Sequence, residues 1–308
     1  MPVLFAPTRA THTTLECRDI ERSLRFYREV MGLPSVRRLK MAGIFRASNG
    51  VIAASVQVPR FTPQPFYNFY ARPVRDRAEV DRVHARLIAA QAAYGIQQIT
   101  EPAFEDPGKF GVGTYGFYVL DPDGNWWRVE DNDGPFGPAE IPSDAEPAGS
   151  LVPAGPISYV TLESVDVGES VRFFHEFLGL DAESHGHYFF SRGNGGVNVV
   201  GVQVADMQYA QPLLNHHGIT LYSGREALID ELRESASGRA ADFGVMKILP
   251  ATYQHGSYSF YMQDRDTNWW EIEILEELDP YEQTLKDGEW TEETSVEQGA
   301  RFARTRHT

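Results

Sequence analysis

The sequence has a single cysteine, Cys17, in 308 residues, so no disulfide can form within the chain and no thiolate cluster can hold a metal. Any metal must rest on His, Asp, Glu or Tyr. Long apolar runs are missing too: none approaches the roughly 20 residues of a membrane helix. The opening MPVLFAPTRATHTTLE lacks the apolar stretch of a secretion signal. We therefore expect a cytoplasmic chain with no membrane partner. Positive charge is scarce, with 28 basic against 43 acidic residues and a formal net charge of −15, so a phosphate backbone is repelled and nucleic acid is not an expected partner. What the chain does have is length and 42% hydrophobic residues, enough for the cores of two ordinary domains.

It also repeats itself. THTTLECRDIERSLRFYREVMGLPSVRR from Thr11 and SYVTLESVDVGESVRFFHEFLGLDAESH from Ser158 match at Leu15/Leu162, Glu16/Glu163, Asp19/Asp166, Ser23/Ser170, Arg25/Arg172, Phe26/Phe173 and Gly32/Gly179. Near the end of each half, YVLDPDGNWWRVED and YMQDRDTNWWEIEI pair Asp121/Asp264, Asp123/Asp266, Asn125/Asn268, Trp126/Trp269 and Trp127/Trp270. The first block reads as strand, capped helix and glycine stop, the second as a hairpin around an Asp-rich turn. A further helical stretch follows Arg75 in one half and Gly224 in the other. Each half is thus βαβββ twice, an α+β chain of four modules. The Pro-, Gly- and Asp-rich stretch 132–156 reads as a surface linker. We place domains at 1–135 and 156–278, a linker at 136–155 and a tail at 279–308 that forms an extended arm.

A first-strand His12, then S-x-R-F-Y and a glycine, with DPDGN closing the domain, resembles the glyoxalase, bleomycin-resistance and extradiol dioxygenase superfamily, also called vicinal oxygen chelate proteins, over about residues 10–276. The resemblance implies tandem glyoxalase-like domains whose mixed sheets curl into half-barrels and enclose a metal cavity. It further implies that modules one and four share one cavity and modules two and three the other, with ligands from first and last strands. His12, His217 and Glu271 then converge, while Tyr159 and Arg128 face each other in a copy without a metal. His216 and His217 point to opposite faces of a strand, and alignment to the superfamily favours His217. Gln57 is the remaining candidate for a fourth ligand, because residues 47–74 hold no Asp, Glu or His.

Two imidazoles and one carboxylate match the set used by non-haem Fe(II) oxygenases, which leaves positions open for substrate and dioxygen. The ligand pattern resembles the hydroquinone ring-cleaving branch of the superfamily. That implies Fe(II), a small aromatic substrate and dioxygen, with Tyr261 touching substrate and His255 acting as acid or base. The alternatives are a lyase or isomerase of glyoxalase or epimerase type using Mn, Zn, Ni or Co, and a binding protein without catalysis. A homo-oligomer is possible but not needed to complete the site. Trp126/Trp127 and Trp269/Trp270 are expected in packing, and Glu130 and Glu273 can be read as facing solvent.

Overall fold

The computed structural model describes residues 9–105, 112–141, 149–207, 210–221, 226–254, 257–274 and 280–291. Module one runs β1 (Arg9–Cys17), α1 (Ile20–Arg25), β2 (Ser35–Leu39), β3 (Ala42–Arg46) and β4 (Ile52–Gln57). Module two runs β5 (Phe69–Val74), α2 (Arg77–Tyr94), β6 (Gln98–Ile99), β7 (Ala103–Phe104), β8 (Tyr115–Leu120) and β9 (Trp126–Asp131). Module three has β10 (Tyr159–Ser164), α3 (Val167–Arg172), β11 (Asp181–Ser184), β12 (Tyr188–Arg192) and β13 (Val199–Gln203). Module four has β14 (His216–Leu221), α4 (Glu226–Arg239), β15 (Lys247–Ile248), β16 (Thr252–Gln254), β17 (Ser257–Gln263) and β18 (Trp269–Ile274), and α5 (Pro280–Asp287) follows. In modules two and four one strand of the βαβββ pattern is split into two short pieces along β8 or β17.

The strands form two mixed sheets, and the modules pair crosswise. β1 lies antiparallel to β14, joining modules one and four, and β5 lies antiparallel to β10, joining modules two and three. Consecutive modules are tied instead through helix starts and aromatic cores. Asp19 and Asp166 cap α1 and α3, as the polar turns in the sequence require. Asp123 accepts from Arg18 N and the Ser23 hydroxyl at the start of α1, and Asp266 does the same for Val165 N and Ser170 at α3. Trp127 packs on Tyr27 and Phe45 across modules one and two, and Trp270 on Phe173 and Phe174 across modules three and four.

After α1 the chain widens into a π-helical turn and stops at Gly32, whose φ of +63° suits glycine. A side chain there would meet Val152 O, so the linker lies directly on this stop. Arg72, fully buried, donates to Gly155 O, Pro156 O, Pro153 O and Met31 O and pins the linker to the first domain. Residues 142–148 of the expected linker lie outside the described residues. No described helix is long and apolar enough to cross a membrane.

The Asp-rich turns bury their carboxylates. Asp264 accepts from Asp266 N, Asn268 N and Trp270 Nε1, yet burial and the neighbouring Asp266 push its carboxyl up to about 7. Its folded value lies above its unfolded one, so between roughly pH 4 and 7 the folded chain keeps a proton that the unfolded chain has lost. That stabilisation is full at low pH and is lost as pH rises through 7. Asp264→Asn cannot ionise and is expected to cost less stability at pH 8 than at pH 5, by about 2–3 kcal/mol at most. Urea midpoints at the two pH values check this, and equal costs would show that Asp264 is ionised throughout.

Candidate metal centre

Strand register sets the site. His12 on β1 lies opposite Gly218 on β14, and Gly218 lies beside Glu271 on β18. Residues abreast in a sheet share a face, as do residues two apart, so His216 and Thr14 join His12 and Glu271 on one side. A Cβ on Gly218 would fall 1.9 Å from His12 Cε1. The glycine is therefore what lets the imidazole lie across β14 towards Glu271. Opposite Glu271 on β17 stands Tyr261.

The donors converge. His12 Nε2 is 3.3 Å and His216 Nε2 3.2 Å from Glu271 Oε2. The ligating atoms of His12, His216 and Glu271 all lie within 4.8 Å of one another, and among the described residues they form the one group of three or more such side chains. Each imidazole is oriented through its other nitrogen: His12 Nδ1 lies 3.2 Å from Glu273 Oε1, and His216 Nδ1 2.9 Å from Leu213 O. Glu273 is itself held by the Thr220 hydroxyl at 2.8 Å. On Glu271 the other oxygen, Oε1, accepts from Ser259 Oγ at 2.6 Å and Gln254 Nε2 at 3.3 Å, while Oε2 faces both histidines.

This donor set fits a divalent metal. Imidazoles that bind metals present one nitrogen to the ion and give the other to a carboxylate or carbonyl, and both do so here. Electrostatics agree: burial opposes charge on His12, but Glu273 and Glu271 outweigh it and raise the imidazole to about 10. The two carboxylates call for positive charge beside His12, which a proton supplies in the free chain and a metal would supply when bound.

The structure corrects the sequence expectations at His217 and Gln57. His217 is on the opposite face of β14, its ring 5.6 Å from that of Trp270, and does not join His12 and Glu271. Burial, then the charges of His216 and His12, lower it to about 3. Gln57 also turns away: it pairs with Cys17 on the helix side of β4, and its Oε1 accepts from Ile20 N at 3.2 Å. The positions of β4 on the metal side are Ile52, Ala54 and Val56, which offer no ligand. Tyr261 lines the site, its ring 5.0 Å from that of His216 and its hydroxyl hydrogen-bonded to Glu271, and burial followed by Glu271 keeps its phenol well above the usual range. His255 lies outside the described residues. Sequence reasoning missed Thr14, whose hydroxyl is 3.1 Å from His216 Nε2, along with Ser259, Gln254 and the buried Glu273. The alternation Glu271/Glu273 and His12/Thr14 was the available signal.

The second sheet repeats the geometry without the donors. Tyr159, Ala71 and Arg128 lie abreast where the first sheet has His12, Gly218 and Glu271, and Phe69 takes the place of His216. Arg128 Nε donates to Glu130 Oε2 at 2.8 Å, Nη1 lies 2.9 Å from Glu105 Oε1, and Nη2 donates to Thr114. Tyr159 donates to the same Glu130 oxygen at 2.9 Å. A buried guanidinium thus supplies the positive charge at this position, and Glu130, like Glu273, is buried rather than facing solvent. Trp126, Phe66, Tyr118 and Phe136 fill the surrounding space.

The profile of the family described as the Glyoxalase/Bleomycin resistance protein/Dioxygenase superfamily matches residues 9–129. No curated protein matches the sequence. Among solved structures, a presumed dioxygenase from Bacillus subtilis shares the fold with a TM-score of 0.61 and 13% identity, over 97% of each chain. Glyoxalase I from Zea mays does so with a TM-score of 0.57 and 15% identity, over 91% of this chain and 95% of that one. The family match thus covers the first two modules, residues 9–129, and the internal repeat and the solved structures extend the same fold, four crosswise-paired βαβββ modules, over the rest of the chain.

Proposed function

We propose that the protein is an Fe(II)-dependent dioxygenase that cleaves the ring of a phenolic substrate of hydroquinone or catechol type. The observation that carries this reading is the three-donor set of His12 Nε2, His216 Nε2 and Glu271 Oε2, with Ile52, Ala54 and Val56 where a fourth ligand would stand. Three ligands on one side of an ion leave room for both a substrate and dioxygen. Iron bound there would acidify a phenolic hydroxyl and supply the redox centre for dioxygen.

The chain's own groups do the rest. Ser259 and Gln254 fix Glu271 so that one oxygen faces the histidines. Glu273 and Leu213 O set the tilt of the two imidazoles. Tyr261 keeps its proton at neutral pH and can donate a hydrogen bond to an oxygen of the substrate.

The test is oxygen consumption by anaerobically purified, iron-loaded protein on a panel of hydroquinones and catechols. Uptake stoichiometric with ring-opened product is expected, with kcat reduced about 10²-fold in Tyr261→Phe, which lacks the hydrogen bond to the substrate oxygen. Metal-dependent turnover of a non-phenolic substrate without oxygen uptake would replace this reading with a lyase or isomerase.

A further inference from the structure

A cation shares the metal side of the first sheet with His12 and His216. In the row running across β1, β4 and β3, His12 pairs with Ile52 and Ile52 with Arg46. Two inter-strand steps put the His12 and Arg46 Cα atoms about 10 Å apart. Arg46 belongs to the His12 side because its neighbour Phe45 points the other way, onto Tyr27 with ring centroids 4.1 Å apart. Between His12 and Arg46 stands Ile52, and beside it Val36 and Ile44 are already buried where α5 crosses β2 and β3. A flat ring with its hydroxyl at the metal corner would lie over Ile52, and its far substituent would reach the guanidinium.

That guanidinium is now held by Glu282, a carboxylate of α5. The helix returns across β2 and β3, and beyond it Trp290 N donates to Arg37 O at 2.9 Å while the Trp290 ring lies 4.5 Å from the Arg37 guanidinium. The Arg46 and Glu282 side chains are 35% and 44% exposed. An ion pair that wet contributes little to stability, so a carboxylate from a ligand can take the place of Glu282 at small cost. In a chain of net charge −15, an acidic ligand needs such a local cation to be retained.

We propose that Arg46 anchors a carboxylate on the substrate ring, remote from the metal-binding hydroxyl, and that Glu282 holds the guanidinium in place in the free protein. The substrate class is then a phenolic acid. This rests on the reading that the cavity takes a phenol at the metal, so the test measures binding rather than turnover.

Calorimetry on anaerobic, iron-loaded protein would compare 4-hydroxybenzoate with its neutral isostere 4-hydroxybenzamide. The acid is expected to bind about 10-fold or more tighter than the amide, the range of a charge-assisted contact. Arg46→Met removes that preference while leaving the amide unchanged, and Glu282→Gln tightens the acid a few-fold without affecting the amide. Equal binding of acid and amide to the wild type overturns the proposal, as does an acid preference that survives in Arg46→Met. A lower melting temperature in Arg46→Met with the preference intact would mean that the pair only fastens the tail, and also overturns it. If oxygen uptake fails but the preference is lost in Arg46→Met, the dioxygenase reading falls and the anchor stands.

Discussion

His216→Ala is expected to strip the chain of its metal, while His217→Ala leaves the metal in place. The two rings are adjacent in sequence and on opposite faces of β14. His216 Nε2 faces Glu271 Oε2 at 3.2 Å, with Nδ1 fixed on Leu213 O. Removing a ligand leaves the buried Glu271 without one of its two imidazoles, and the affinity loss should exceed the 10- to 100-fold typical of losing a supporting partner. His217 rests against Trp270, so its removal trims packing and costs stability of the order of 1 kcal/mol. Metal content after exhaustive dialysis, alongside thermal melts, separates the two effects. Metal loss in His217→Ala with retention in His216→Ala would reverse the assignment.

Gly218→Ala is expected to be nearly as damaging, though the residue binds nothing. Its new methyl would stand 1.9 Å from His12 Cε1, and Nδ1 and Nε2 of the same ring are also within contact distance. Either His12 swings away or β14 parts from β1, and both separate His12 from Glu271. A loss of about 10²-fold in metal affinity, with a destabilisation of roughly 1–3 kcal/mol from overpacking, follows. The twin position carries a methyl already, in Ala71, where no imidazole crosses the strand towards a carboxylate. Chelator competition on the variant measures the effect, and wild-type affinity would show that His12 does not need that space.

Much of this architecture is legible in the sequence. The repeated Leu-Glu strand, the Asp19/Asp166 caps and the paired Asp-rich turns mark four modules, and the caps and turns act as local chemistry requires. His12 and Glu271 are legible as well, because the repeat sets Tyr159 and Arg128 against them. The choice between His216 and His217 is not. It depends on which β14 residue lies abreast of Glu271, a matter of strand register, and β1 carries an irregularity between Ala10 and His12 that no local pattern announces. Glu273 and Glu130 resist reading for the same reason: an acid at the end of a strand is ordinarily solvated, and only the crosswise pairing of modules buries these two. The tail offers little pattern of its own, and its return over β2 and β3 rests on long-range contacts of Arg46 and Arg37.

One face of the first sheet brings His12, His216 and Glu271 together as candidate donors for a single metal ion, while Arg128 occupies the matching place in the second. Crystals of metal-saturated protein, measured at the absorption edge of the metal, test this most directly. One anomalous peak per chain is expected, within bonding distance of His12 Nε2, His216 Nε2 and Glu271 Oε2, and none beside Arg128. A peak between Arg128 and Glu130, or no peak at the histidines, would contradict it.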